Sequence, residues 1–81
     1  MTKATVQLLI KVLEDKFDIS ETLDSSTNLN EVGLDSLDII NFLYSVEEET
    51  SVSIPDEDLV EYELETIQQF ADYVDARSGQ G

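Results

Sequence analysis

The sequence contains no cysteine and no histidine. Without cysteine there is no disulfide, no thiolate metal site and no thiol nucleophile. Without histidine the commonest general base and the commonest zinc ligand are both missing. Catalysis would have to rest on carboxylates, tyrosine, lysine or serine, and a serine with no basic neighbour is not an activated nucleophile. The expectation is a protein that is not an enzyme. Basic residues are also scarce, with 4 Lys and Arg against 19 Asp and Glu and a formal net charge of −15. Nucleic acid is excluded as a partner, because binding it requires cations against its phosphates. An anionic membrane surface is repelled in the same way. The field instead attracts proteins with basic patches and speeds their encounter, and self-repulsion favours a monomer. No apolar run approaches the length needed to span a bilayer. The opening Met1-Thr2-Lys3-Ala4 passes straight into an amphipathic pattern, without the apolar core of a signal peptide. A cytoplasmic protein is expected.

What is present is enough for one small core. The chain has 81 residues, 41% of them hydrophobic, which sets it apart from a disordered acidic chain. Val6, Leu9, Ile10, Leu13 and Phe17 follow the i, i+3, i+4, i+7 rule and predict a first helix from Lys3 to Phe17. Residues 18–35 read as a long loop around the turn formers Asp24-Ser25-Ser26-Thr27-Asn28. Its apolar residues Ile19, Leu23, Leu29, Val32 and Leu34 are expected to pack down on the helices. A second helix should start at Asp35 or Ser36, both good N-cap types, and fray near Thr50. Leu37, Ile40 and Tyr44 form one apolar stripe of it, and Ile39, Phe42, Leu43 and Val46 form a second. Asp38, Asn41, Ser45 and Glu48 share a polar stripe.

An extended stretch through Val52, Ile54 and Pro55 leads to Asp56-Glu57-Asp58, acids suited to the start of a short third helix. Leu59, Val60, Tyr62 and Leu64 are its candidates for burial. Thr66 with Gln69 forms a capping box for a last helix, whose apolar face is Ile67, Phe70, Ala71 and Val74. Residues 78–81 are expected to be a disordered tail beyond a domain of residues 1–77. There is no β alternation of useful length, no internal repeat and no second domain. The predicted fold is all-α, a small bundle of three main helices plus one short helix.

The stretch Gly33-Leu34-Asp35-Ser36-Leu37-Asp38 places a hydroxyl at a helix N-terminus, just after a flexible glycine. Unpaired N–H groups and the positive end of the dipole make that position receptive to a phosphate. The flanking acids oppose a bare anion and suit a covalently attached phosphodiester handled by a basic partner or a divalent cation. On spacing alone the favoured reading is that Ser36 is only an N-cap. A hydrolase elbow is excluded, since Leu34 and Asp38 stand where it needs glycine.

The stretch resembles the attachment motif of acyl carrier proteins, Asp-Ser-Leu after Gly-Leu. Thr27 and Leu29 before it, Glu47-Glu48-Glu49, Ile54-Pro55-Asp56-Glu57-Asp58 and Asp72-Tyr73-Val74 follow in the family's order over nearly the whole chain. The resemblance implies an acyl-carrier-like helical bundle of the free-standing type. It implies a 4'-phosphopantetheine arm moved from coenzyme A onto Ser36 by a phosphopantetheinyl transferase. The arm's thiol would hold acyl groups for acyl-transferring and ketosynthase-type enzymes with basic patches. Gly33, Leu34, Asp35, Leu37, Asp38, Asn41, Ser45 and Glu48 would serve the motif and partner recognition.

Fatty-acid carriers usually place Glu, Ala and Phe where this chain has Asn41, Ser45 and Thr50. Phe42 and Tyr44 stand where smaller or more flexible residues are common, and either would shrink an acyl cavity if it pointed inward. These departures favour a specialised role, in polyketide-like or other secondary synthesis with short or polar acyl groups, over housekeeping fatty-acid synthesis. Peptidyl carriers more often show Gly-Gly-His-Ser or Gly-Gly-Asp-Ser, and Leu34 argues against that branch. A carrier-like domain that is never modified is opposed by the intact Asp35-Ser36-Leu37. Asp24, Ser26, Asn28, Asn30, Val32 and Asp35 also fall at positions 1, 3, 5, 7, 9 and 12 of a calcium-binding loop. Position 6 needs glycine and holds Leu29, and position 12 is Asp, not Glu. No metal site is expected.

Overall fold

Apolar residues recurring every three or four positions become the inner faces of three helices. In the computed structural model, which describes residues 2–17, 19 and 21–78, the chain forms α1 (Thr2–Lys16), α2 (Ser36–Thr50), α3 (Asp56–Glu61) and α4 (Ile67–Arg77). α1 packs mainly along α4 and also against α2. Val6, Leu9 and Leu13 of the expected α1 stripe are buried and Val12 joins them, while Ile10 and Phe17 are half-buried. Ile67, Phe70, Ala71 and Val74 of α4 are buried as expected, together with Tyr73. Phe42 of α2 meets Phe70 of α4 edge to face, with ring centroids 5.4 Å apart, a favoured aromatic geometry. Among the described residues there are no strands, and pairing is confined to an isolated bridge between Asn28 and Thr66.

The long loop is ordered because it completes α4. The first N–H groups of a helix have no intrahelical partner. In α4 those of Ile67 and Gln68 donate to the loop carbonyls of Thr27 (3.1 Å) and Ser25 (2.8 Å), and Leu29 N–H donates back to Glu65 O at 2.9 Å. The expected capping box closes the same end, with Gln69 N–H on Thr66 Oγ1 and Thr66 N–H on Gln69 Oε1. Leu23, Leu29 and Leu34 are buried beneath this strap, and Ile19 and Val32 are half-buried. α2 ends at Ser51, which takes a left-handed conformation (φ 61°) and donates its N–H to Glu47 O. Ser78 N–H donates to Val74 O at 2.9 Å and closes α4. Gly79, Gln80 and Gly81 of the expected tail lie outside the described residues.

Of the two apolar stripes of α2, the inward face is Phe42, Leu43 and Val46, while Leu37 and Tyr44 are 66% and 65% exposed. The apolar arc of α2 is wider than one contact surface, so one edge of it is left in solvent. The burial expected of α3 is corrected: it buries none of its residues. Val60 and Tyr62 are exposed, and only Leu59 and Leu64 tuck half-way under, because a helix of 6 residues lays down less than two turns. Among the described residues, no helix is long and apolar enough to cross a membrane.

Candidate functional site

The entry to α2 is built from three residues with separate tasks. Gly33 has φ +94°, and a Cβ added there would meet nothing within 4 Å. Glycine is therefore required by the backbone conformation and not by a close neighbour. Leu34 is buried and anchors the turn. Asp35 is the N-cap, its Oδ1 accepting from Asp38 N–H at 2.9 Å, while Asp38 Oδ2 accepts from Asp35 N–H at 3.4 Å. The two acids flanking Ser36 thus form a reciprocal capping box and hold negative charge at the positive end of the helix.

Ser36 is the first residue of α2 and is exposed. Its hydroxyl has no hydrogen-bond partner among the described residues; the cap is Asp35, which leaves this oxygen free for chemistry. Ser36 opens onto a groove of about 570 Å³ between α2 and α3. Ile39 and Ile40, three and four residues further along α2, lie on the same side and line it with Leu59 and Leu64. All four are half-buried and make an apolar floor. Asn30, Asp56, Glu63 and Glu65 are exposed and give the groove a polar, acidic rim. Glu63 sits in the left-handed region at φ 51°, where the chain folds back so that Leu64 N–H reaches Leu59 O at 3.0 Å.

The expected partner-facing stripe is only partly on the surface. Asn41 and Glu48 are exposed, whereas Asp38 and Ser45 are half-buried, Asp38 being engaged in the cap. The outward face of α2 is a mixed stripe of Leu37, Asn41, Tyr44 and Glu48. Of the two large rings, Phe42 points inward and Tyr44 outward, so any narrowing of the interior falls to Phe42 alone. The groove residues contributed by the loop and α3 escaped the sequence reading, because their sequence positions are scattered. The available signal was Ile39 and Ile40, at helical spacing from Ser36.

The calcium-loop pattern is put to another use. Asp24 Oδ1 accepts from Ser26 N–H (2.9 Å), Ser26 Oγ (2.8 Å) and Thr27 Oγ1 (3.2 Å). The bonds from Ser26 hold its carboxyl below the ordinary value of 3.8. Among the described residues, no group of three or more His, Cys, Asp and Glu is placed to hold a metal ion.

Known proteins share this arrangement. The family described as "Phosphopantetheine attachment site" matches residues 7–74. The acyl carrier protein of Buchnera aphidicola subsp. Schizaphis graminum is 30% identical over 76 residues, 94% of this chain and 91% of its own length. The acyl carrier protein of Clostridium perfringens strain SM101 is 40% identical over 53 residues, 62% of this chain and 68% of its own. In fold, the chain is similar to one in the crystal structure of Bradyrhizobium japonicum glycine:[carrier protein] ligase complexed with its cognate carrier protein. That match has a TM-score of 0.68 at 18% identity, covering 94% of this chain and 97% of the other.

Proposed function

The chain belongs to the acyl carrier proteins of the phosphopantetheine-attachment family, and from that premise we propose that Ser36 bears the arm and that its cargo is a short or polar acyl group of a specialised biosynthesis. The family implies a covalently attached 4'-phosphopantetheine, which supplies a terminal thiol able to hold an acyl group as a thioester. The residues present fit such a group. The observation that carries the reading is the exposed, unpartnered Ser36 hydroxyl at the first turn of α2, opening directly onto a groove. Asp35 and Asp38 fix the helix start, so the hydroxyl is presented from a rigid element. Leu34 ties that start to the core.

The cargo preference has its own support. The apolar floor is short and gives way to the carboxylates of Asp56, Glu63 and Glu65. A long alkyl chain reaching past that floor would meet charged groups and water in place of apolar surface, and so would gain little from burial. The core behind α2 is filled by Phe42 against Phe70. Partners would be a phosphopantetheinyl transferase and acyl-transferring or ketosynthase-type enzymes that offer basic patches to the outward stripe of α2.

The test is mass spectrometry of the protein purified from its own host, with the Ser36 peptide sequenced and the acyl group on its arm identified. A short or polar acyl group is expected. A ladder of long saturated chains would restore the housekeeping fatty-acid role, and an aminoacyl group would point to the peptidyl branch.

A further inference from the structure

α3 forms one wall of the groove beside Ser36, yet little holds it there. It has 6 residues, none of them buried, and its N-cap Pro55 makes no side-chain cap bond. Its core anchorage is the half-buried Leu59, with buried Val52 and Ile54 just before the helix and half-buried Leu64 just beyond it. What fastens its other side is a cluster of polar and aromatic groups reaching it from α4. The Tyr73 hydroxyl donates to the Asp58 carboxylate. The Tyr62 ring meets the Tyr73 ring edge to face, with centroids 5.6 Å apart. The guanidinium of Arg77, the chain's one arginine, lies 3.9 Å from the Tyr73 centroid and 5.2 Å from that of Tyr62. Arg77 Nη2 also donates to Tyr62 Oη at 3.3 Å.

This arrangement is more than surface decoration. Tyr73 is buried, so its hydroxyl needs a partner, and a carboxylate acceptor makes the stronger kind of hydrogen bond. A cation over two ring faces adds a further attraction. α3 otherwise lacks the apolar burial that gives a helix its resistance to local opening. The cluster therefore restrains the α4-facing side of α3, while the buried Ile54 just before Pro55 holds its start, and α3 supplies Asp56, Leu59 and Val60 to the groove.

We propose that Asp58, Tyr62, Tyr73 and Arg77 form a clasp that sets the resting width of the groove beside Ser36 and so limits the size of the acyl group it shelters. None of the four lines the groove, so they act as positioning residues, through α3. The statement about acyl size rests on the reading of Ser36 as the attachment residue. The statement about α3 does not.

Two measurements separate those claims. The first is amide hydrogen exchange on the unmodified protein, comparing wild type with Tyr73→Phe and Asp58→Asn. Tyr73→Phe keeps the ring and its packing and removes only the hydroxyl. Exchange in α3 should rise on the order of tenfold, as expected for loss of one hydrogen bond to a charged group, with α1 unchanged. Asp58→Asn keeps an acceptor for the hydroxyl and should lie between the two. Unchanged exchange in α3, or an equal rise in every helix, overturns the clasp. The second measurement loads wild type and Tyr73→Phe from a series of acyl-coenzyme A donors and follows thioester cleavage by hydroxylamine. Protection should extend to longer chains in Tyr73→Phe; identical dependence on chain length overturns the clasp's control of acyl size. Failure of wild type to accept any arm would count against Ser36, while the exchange result would still decide the clasp.

Discussion

At the scale of single residues, most of the polar side chains near Ser36 serve the fold as much as chemistry. Asp35 and Asp38 bond each other's backbone, and Gly33 is present for its φ of +94°. Tyr73 makes the clearest prediction about pH. Burial pushes its phenol up from 10.0 to about 12, helped by the hydrogen bond to Asp58 and opposed by the charge of Arg77. A group whose folded value is raised holds its proton longer in the folded state than in the unfolded one. Its contribution to stability is complete below pH 10.0 and is lost as pH rises through about 12. Urea unfolding across that window should show wild type losing stability that Tyr73→Phe never had, so that the two variants converge. A constant gap between them would mean that Tyr73 keeps its ordinary value.

At the scale of elements, helix α2 carries the proposed attachment residue and the proposed docking face, and its two sides were unequally legible. The buried faces of α1 and α4, the Thr66–Gln69 cap and the start of α2 follow from spacing and residue type, because those signals are local. The direction of Leu37 and Tyr44 does not. With apolar residues over so wide an arc, periodicity cannot say which edge meets the core. Val60 of α3 and Tyr62 at its end are apolar enough to bury, but the helix is too short to bring them in. The contacts from α4 to Asp58 and Tyr62 join residues far apart in sequence, and no pattern announces them. The outward stripe predicts how partners dock. Glu48 is exposed on it, whereas Glu14 is exposed on α1, and replacing either by lysine changes net charge equally. Glu48→Lys should slow arm transfer or acyl transfer by about twofold to fivefold, the worth of one rim ion pair, and Glu14→Lys should have less effect. Equal slowing would mean that partners sense only total charge.

At the scale of the whole molecule, a net charge of −15 is confined within a radius of gyration of 11.4 Å. The Debye length is about 30 Å at 0.01 M salt and about 8 Å at physiological ionic strength. In dilute salt every carboxylate therefore feels the others across the whole domain, and that repulsion opposes compaction. The melting temperature should rise as a simple monovalent salt is raised from the dilute to the physiological range. A flat or falling melting temperature would show that local caps and bonds outweigh the collective repulsion. The same charge would speed encounters with the basic partners proposed above, and those encounters would weaken with salt. All of this presupposes that Ser36 is the residue partners come to use. The measurement that tests this most directly is intact-mass spectrometry after incubation with coenzyme A, magnesium and a broad-specificity phosphopantetheinyl transferase. Wild type should gain one phosphopantetheine and Ser36→Ala none; an unmodified wild type, or a Ser36→Ala variant that still gains the arm, would contradict the account.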